Sequence, residues 1–315
     1  MRILKSIRDL ALEVADVVRP FGEIEVLLLY GAVAPYLKRY LAGKELAAKN
    51  WFSEKVFPAI LKRGSNSPPL FIEQLEEAIT PEFLKLRMKS LEEVRGQLTP
   101  VQENVWKYFP PRKLSDFFYA TNGEKEGSPV DRIFFDIDRG EGVPVEAALK
   151  VAHSLVEVIL EDKQVEDVLG HPPEPWVCWT GSSLHVYLFL REKRGGSLYQ
   201  EHFKIEKESL ATFTGRWAER LRRRSQTPIA PGHEKMRGAV TIDPSQTPPG
   251  KLCRVPLGAL HMRDWKRVDG VSVPLTLDML SEPDLVRELQ AYTPERVVKE
   301  LGELAARLPP QFRVG

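Results

Sequence analysis

The chain has 315 residues, of which 43% are hydrophobic and 28% are charged, and its formal net charge is +1. This is the composition of a globular protein, and the small net charge excludes a chain that binds nucleic acid through overall positive charge. Its two cysteines, Cys178 and Cys253, are too few for a four-cysteine zinc site, an iron–sulfur cluster or a disulfide framework.

Neither a signal peptide nor a membrane-spanning segment is expected from the sequence. The first residues run directly into a charged amphipathic pattern, and the most apolar stretch, residues 26–34, is too short to cross a bilayer. With the low cysteine content, these features predict a cytoplasmic protein in a reducing compartment.

Residues 1–105 are predicted to form a mostly helical N-terminal region. Thr80-Pro81 and Thr99-Pro100 each place a capping hydroxyl before a proline, and Gln102 completes a capping box with Thr99. Segment 64–69 is rich in glycine, serine and proline, which indicates a linker or an exposed loop.

Strand patterns begin near residue 116. The predicted strands cover 117–121, 131–138, 176–179, 184–190, 239–242 and 252–256. The predicted helices cover about 144–161, about 205–224, and 293 to about 308. We therefore expect an α+β fold with mixed sheets flanked by helices, in which 106–280 form the functional domain and 281–315 form a helical segment packed on it.

Three aspartates stand at the ends of predicted strands. Asp136 and Asp138 follow an apolar run and share one face of a strand, so their carboxylates repel unless a cation neutralises them or one of them stays protonated. Asp243 ends another strand and can join them at one sheet edge. Three carboxylates are what two divalent cations need for phosphoryl or nucleotidyl transfer. The alternative is that Asp136 and Asp138 cap the helix near 144 or bind a structural cation.

Donors suited to a triphosphate accompany these acids. Ser183 and His185 lie at a tight turn and the start of the next strand, while Arg254 and His261 follow Asp243 in the chain. Each is common by itself. The order and the strand context of four motifs together are specific: Asp136 with Asp138, Ser183 with His185, Asp243, and Arg254 with His261.

The motif set resembles the archaeo-eukaryotic primase superfamily, which includes primase small subunits, plasmid primase-polymerases and the polymerase domain of bacterial end-joining ligases. The matching segments are FFDID at 134–138, SLHV at 183–186, ID at 242–243 and KLCRVPLGALH at 251–261. Segment 119–122 is also similar to part of primase small subunits. The resemblance covers roughly residues 115–265.

This resemblance implies an RRM-like primase catalytic core that performs template-directed nucleotidyl transfer on a DNA template and primer with nucleoside triphosphates. Asp136, Asp138 and Asp243 would be the catalytic residues and would hold two Mg²⁺ or Mn²⁺ ions. The nucleotide phosphates would be bound by Ser182, Ser183, His185, Arg254 and His261. A protein partner from replication or repair would fit this role.

The chain also departs from the family pattern. It lacks the cysteines for the zinc-binding insertion of primase small subunits and for the iron–sulfur module of the large subunit. The turn at 180–183 lacks a second glycine that is often found near the motif histidine. We therefore expect a compact single-chain primase-polymerase, without zinc or an iron–sulfur cluster, and not a subunit of a heterodimeric replicative primase.

Two other functions compete with this interpretation: a metal-dependent phosphohydrolase or nuclease, and a non-catalytic nucleic-acid-binding subunit. A basic helix offers a nucleic-acid contact, or else a solvated helix face, through Arg216, Arg220, Arg222, Arg223 and Arg224.

Overall fold

The computed structural model describes residues 6–13, 25–51, 59–62, 67–205 and 210–309. The chain divides into two compact units. The first comprises Met1–Tyr119, Arg254–Val273 and Ala291–Leu308, and the second comprises Ala120–Cys253, Pro274–Gln290 and Pro309–Gly315. These units do not coincide with the boundaries at 105 and 280, and the functional division proposed there stays a prediction.

The helices are short except for two. They are α1 Ile7–Glu13, α2 Val26–Leu41, α3 Ile72–Ala78, α4 Pro81–Leu86, α5 Leu91–Val94, α6 Pro100–Tyr108, α7 Val145–Glu161, α8 Lys163–Leu169, α9 Ser197–His202, α10 Phe213–Arg224, α11 Leu285–Gln290, α12 Pro294–Lys299 and α13 Leu301–Ala306. Across the described ranges, no helix combines the length and the apolar character that crossing a membrane requires.

The strands form three sheets in the described part of the chain. They are β1 Leu46–Trp51, β2 Ala59–Lys62, β3 Leu114–Ala120, β4 Val130–Arg139, β5 Glu174–Trp179, β6 Leu184–Arg194, β7 Ile229–Pro231, β8 Val240–Asp243, β9 Leu252–Arg254, β10 Leu260–His261, β11 Gly270–Val271 and β12 Val273–Leu275. The sheet orders are β2-β1-β3-β9, β10-β11 and β12-β5-β6-β4-β8-β7. The predicted α+β class is confirmed.

The first unit contains strands where the sequence predicted helix. β1 lies between β2 and β3, antiparallel to both, so the region predicted to be mostly helical also contains strands. Five of the six residues of β1 are buried, so the strand lacks the alternation of polar and apolar residues that betrays a half-exposed strand. The predicted loop is described only from residue 67 onward; residues 64–66 lie outside the described residues.

The predicted helix starts are confirmed by their caps. The Thr80 hydroxyl accepts a hydrogen bond from the Phe83 N–H at the start of α4. At α6, the Thr99 hydroxyl accepts from the Gln102 N–H, and the Gln102 side chain accepts from the Thr99 N–H. This reciprocal pair satisfies two of the N–H groups that every helix start leaves without an intrahelical partner.

The sheet of the second unit has two chemically different faces. The residues of β4 that alternate with the aspartates, Ile133, Phe135 and Ile137, are fully buried. The ring of Phe135 lies 5.9 Å from that of Trp217 on α10, and α7 packs on β4, β5 and β6. Because successive side chains of a strand point to opposite faces, burial of this apolar face directs Asp136 and Asp138 to the other one.

Two predicted helices have different bounds in the structure. The basic helix α10 begins at Phe213 behind the cap Thr212 and not near 205, while residues 206–209 lie outside the described residues. The closing helix is two short helices, α12 and α13, with the break at Glu300.

Two buried side chains hold the segment behind Asp243 against β4. Beyond the end of β8, the Thr247 hydroxyl accepts from the Phe134 N–H (3.0 Å) and donates to the Phe134 carbonyl (3.2 Å). The Asn122 amide donates to the carbonyls of Arg132 (2.8 Å) and Thr247 (2.7 Å), and its oxygen accepts from the Asp131 N–H (2.9 Å). These side-chain hydrogen bonds supplement the backbone hydrogen bonds that β4 makes with its neighbouring strands.

We predict that Thr247→Val lowers the free energy of unfolding by about 2 kcal/mol, because it leaves the buried N–H and C=O of Phe134 without their partner at nearly unchanged volume. Urea denaturation of both proteins measures the loss. The matched control is Thr276→Val at an exposed threonine, expected to change stability by less than about 0.5 kcal/mol. Equal stability of the two variants would contradict this role of Thr247.

Candidate active site

Asp136 lies at the centre of a row of side chains that crosses the sheet of the second unit. It is directly opposite Asp243 on β8 and directly opposite His185 on β6, and His185 is in turn opposite Cys178 on β5. Cross-strand partners in antiparallel ladders share a face, with Cβ atoms about 5 Å apart. The structure thus brings Asp136, Asp243 and His185 together, as the sequence predicted.

Asp138 joins this face one step along β4. Its cross-strand partner is Thr241, and Lys235 places its ammonium nitrogen 3.0 Å from Asp138 Oδ1. Both side chains of the ion pair are partly exposed, so the pair contributes little to stability. Lys235 nevertheless shows that this position attracts a cation.

Asp243 is the most buried of the three acids, at 7% exposure. Its two carboxylate oxygens accept hydrogen bonds from Ser245, one from the backbone N–H (2.9 Å) and one from the hydroxyl (2.8 Å). A short aspartate turn of this kind fixes the orientation of the carboxylate.

Helix α7 begins without a side-chain cap, so neither Asp136 nor Asp138 serves as one.

His185 is buried between the acids and a polar cluster. Its Nε2 atom lies 3.7 Å from Asp136 Oδ1, and its Nδ1 atom lies 3.2 Å from the Tyr187 hydroxyl. The ring of Phe134 meets the imidazole edge to face, with centroids 4.7 Å apart. The histidine is therefore held at Nδ1 and along its ring, with Nε2 facing the Asp136 carboxylate.

The serines of the turn between β5 and β6 make hydrogen bonds to neighbouring backbone and side-chain groups. The hydroxyl of Ser183 donates to the Ile137 carbonyl, and its backbone N–H donates to the Thr180 hydroxyl (3.0 Å). Ser182 is partly exposed, and its carbonyl accepts from Arg139 (3.0 Å). The Ser183 hydroxyl thus ties the turn to β4, while the phosphate contact expected for both serines stays a prediction.

The three aspartates suit a divalent metal by their chemistry, since Mg²⁺ and Mn²⁺ prefer carboxylate oxygens. Within the described ranges, however, no three His, Cys, Asp or Glu side chains are arranged so that they could hold a metal ion as they stand. Asp138 is instead paired with Lys235, and Asp243 accepts hydrogen bonds from Ser245. The donor set fits the ion, and joint coordination stays a prediction.

Arg254 belongs to the first unit and contacts a buried acid there. Its Nη1 atom lies 3.4 Å from Asp116 Oδ2 and also donates to the Leu260 carbonyl, while the guanidinium carbon lies 5.0 Å from the Phe118 ring centroid. Asp116 is fully buried, and Trp51 donates its indole N–H to it (3.2 Å). Burial raises the pKa of Asp116, whereas Arg254 and Lys49 oppose that shift.

His261 lies in the same charged surroundings in the first unit. Burial and the positive charge of Arg254 lower its pKa to about 3, and Asp269 opposes this shift. A histidine with this pKa is uncharged at neutral pH.

The five arginines of α10 are largely engaged by acids and by the helix itself. Glu161 on α7 binds Arg220 and Arg224 at 2.7 Å each, and Glu219 binds Arg222 (3.3 Å) and Arg223 (3.2 Å). Arg216 donates to the Ala211 carbonyl and lies over the Phe213 ring. These pairs reduce the positive charge that this face offers, and the nucleic-acid contact stays a prediction.

Several residues of these clusters were missed by the sequence motifs. Tyr187 follows His185 by two residues and therefore shares its face, a signal that the sequence did contain. Ser245 likewise follows its partner Asp243 by two residues. No short spacing indicates the roles of the others, because each depends on a partner distant in the chain. They are Lys49, Asp116, Thr247 and Cys253.

We predict that His261 makes stability fall with decreasing pH. Its pKa is lowered in the folded protein, so the unfolded chain binds the proton more tightly between pH 6.5 and about 3. The contribution of His261 to the free energy of unfolding is complete above pH 6.5. Below that pH it falls by up to about 1.4 kcal/mol per pH unit. Urea denaturation at pH 7, 6 and 5 should show a shallower slope for His261→Gln than for the wild type.

The matched control is His153→Gln, at a partly exposed histidine of α7, which corrects for the loss of a histidine as such. Identical slopes for His261→Gln and the wild type would show that His261 is protonated as readily in the folded as in the unfolded chain.

No protein-family model matches the chain, and no curated protein matches it in sequence. Among solved structures, it is similar to the polymerase domain of Mycobacterium tuberculosis ligase D in complex with DNA, with 17% sequence identity and a TM-score of 0.53. The match covers 90% of this chain and 92% of that one. The likeness shows the fold: the chain has the fold of a ligase D polymerase domain, as the resemblance to the primase superfamily predicted.

Proposed function

We propose that this protein is a template-dependent nucleotidyltransferase, a DNA primase or polymerase that adds nucleotides to a primer or starts one. The observation that carries the proposal is the register that sets Asp136 opposite Asp243, with Asp138 on the same face of β4. Like charges directly opposite in a sheet are destabilising, and a divalent cation bound there would relieve the repulsion.

Asp136, Asp138 and Asp243 would hold the divalent ions, Mg²⁺ or Mn²⁺. When bound, such ions neutralise the charge that develops on phosphate oxygens during nucleotidyl transfer. The protein's own part is to fix the acids: Ser245 orients the Asp243 carboxylate, and the ladders on both edges of β4 fix the position of Asp136.

The remaining motif residues supply donors of the kind that phosphates need. His185 has one nitrogen on the acidic side, and Arg254 and His261 are the candidates in the first unit. The likeness to a polymerase domain that was solved with DNA supports a DNA template and primer as partners.

We predict that Asp136→Asn lowers template-dependent incorporation of labelled nucleotide by at least about a thousandfold, because the neutral amide cannot hold the cation that stabilises the transition state. The assay is primer extension with Mg²⁺ or Mn²⁺, with and without a primer. Asp167→Asn, at an exposed acid of α8, is the matched control and should keep full activity.

Undiminished extension by a folded Asp136→Asn protein would contradict the proposal. Degradation of DNA or nucleotide without any extension of a primer would instead show a phosphohydrolase or nuclease. Binding of primed DNA with neither reaction would show a non-catalytic nucleic-acid-binding subunit.

We also predict that Mn²⁺ stabilises the wild type against unfolding, by about 2.7 kcal/mol when its concentration is 100 times the dissociation constant. Asp136→Asn should lose this gain. In the presence of a chelator it should be as stable as the wild type or more so, because the like charge opposite Asp243 is gone. Thermal denaturation with and without Mn²⁺ measures both effects. An equal stabilisation of the two proteins by Mn²⁺ would show that Asp136 does not bind the ion.

A further inference from the structure

A buried polar cluster lies against His185 on the side away from Asp136. The Tyr187 hydroxyl is 3.2 Å from His185 Nδ1 and 3.0 Å from Cys253 Sγ, and Cys253 Sγ is 3.6 Å from the same Nδ1. Tyr187 is fully buried, and Cys253 is 2% exposed. Polar groups buried in this way normally satisfy one another by hydrogen bonding.

The opposite nitrogen of the ring faces a different kind of group. His185 Nε2 lies 3.7 Å from Asp136 Oδ1. An ionised carboxylate can only accept hydrogen bonds, whereas the Tyr187 hydroxyl can both donate and accept. The two sides of the imidazole therefore favour different hydrogen placements.

Only one neutral tautomer satisfies both sides. A hydrogen on Nδ1 would leave the lone pair of Nε2 directed at the negative carboxylate of Asp136. With the hydrogen on Nε2, Nδ1 accepts from the Tyr187 hydroxyl, whose oxygen accepts in turn from the Cys253 thiol. Tyr187 and Cys253 then each donate to an acceptor, and successive hydrogen bonds polarise and strengthen one another. The Nε2–H dipole points toward the Asp136 carboxylate at 3.7 Å, an electrostatic contact longer than a hydrogen bond.

We propose that Tyr187 and Cys253 are positioning residues that hold His185 as its Nε2–H tautomer, with the N–H directed toward the acidic face. The edge-to-face contact with Phe134 fixes the ring plane in the same orientation. The use of this N–H rests on the proposed function, in which His185 donates to a nucleotide phosphate. The tautomer itself does not depend on that function.

Nuclear magnetic resonance tests the tautomer directly. Two-bond ¹H–¹⁵N spectra of the full chain with ¹⁵N-labelled histidine, recorded at pH 8, distinguish the two neutral tautomers, and the signals lost in His185→Gln assign the residue. We expect the Nε2–H pattern in the wild type. In Tyr187→Phe the ratio of Nε2–H to Nδ1–H should fall by about fivefold, the effect of one net hydrogen bond.

Two further variants separate the chain of hydrogen bonds from simple packing. Cys253→Ala should shift the tautomer ratio in the same direction by a smaller factor, and Cys253→Ser should restore the wild-type pattern because a hydroxyl replaces the thiol donor. The matched control is Tyr292→Phe, which removes a hydroxyl that bonds to Glu300 and should leave the His185 signals unchanged.

The kinetic readout follows from the same geometry. Where the protein extends primers, Tyr187→Phe should raise KM for the nucleotide about fivefold with little change in kcat, as expected for a contact made equally in the ground and transition states. A Nδ1–H pattern in the wild type, or an unchanged ratio in Tyr187→Phe, would overturn the inference. If the tautomer ratio shifts in Tyr187→Phe but the wild type extends no primer, the inference on the tautomer is supported and the proposed function is contradicted.

Discussion

The candidate site depends on one electrostatic constraint, the like charge of acids that the backbone holds next to each other. β4 is hydrogen-bonded on both edges, to β6 and to β8, so Asp136 cannot move away from Asp243 without breaking a ladder. The repulsion has to be compensated by groups that approach the face of the sheet. Lys235 and Ser245 do so in the structure, as the ammonium neighbour of Asp138 and the hydrogen-bond donor to Asp243.

The strands that carry the acids were predictable because their signals are local. The D-x-D spacing places Asp136 and Asp138 on one face by strand geometry alone, and the apolar residues between and before them identify the buried face. The register between β4 and β8 was not predictable, since their paired aspartates are separated by more than a hundred residues and the segment 244–251 helps to fix it. Strand β1 escaped recognition because burial on both faces removes its alternation.

The candidate binding residues show the same division between local and distant information. Arg254 was recognised as a suitable phosphate donor, but its buried partner Asp116 belongs to another strand and leaves no mark on the local motif. The sequence of α10 indicates a basic surface of arginines. In the structure, Glu161, about sixty residues earlier in the chain, forms ion pairs with two of them. A charge motif indicates which groups are available, and long-range pairing decides how much of that charge is free.

The motif that contains His185 and the segment that leads to Arg254 are in contact within the second unit. Cys253, from the segment that continues toward Arg254, contacts Tyr187 and His185 of the β6 motif. Displacement of the segment that carries Cys253 would therefore change the hydrogen bonding of His185. This connection gives the buried thiol of Cys253 and the buried phenol of Tyr187 polar partners. Their hydrogen-bonding capacity is used to orient His185, beyond the apolar surface that both side chains bury.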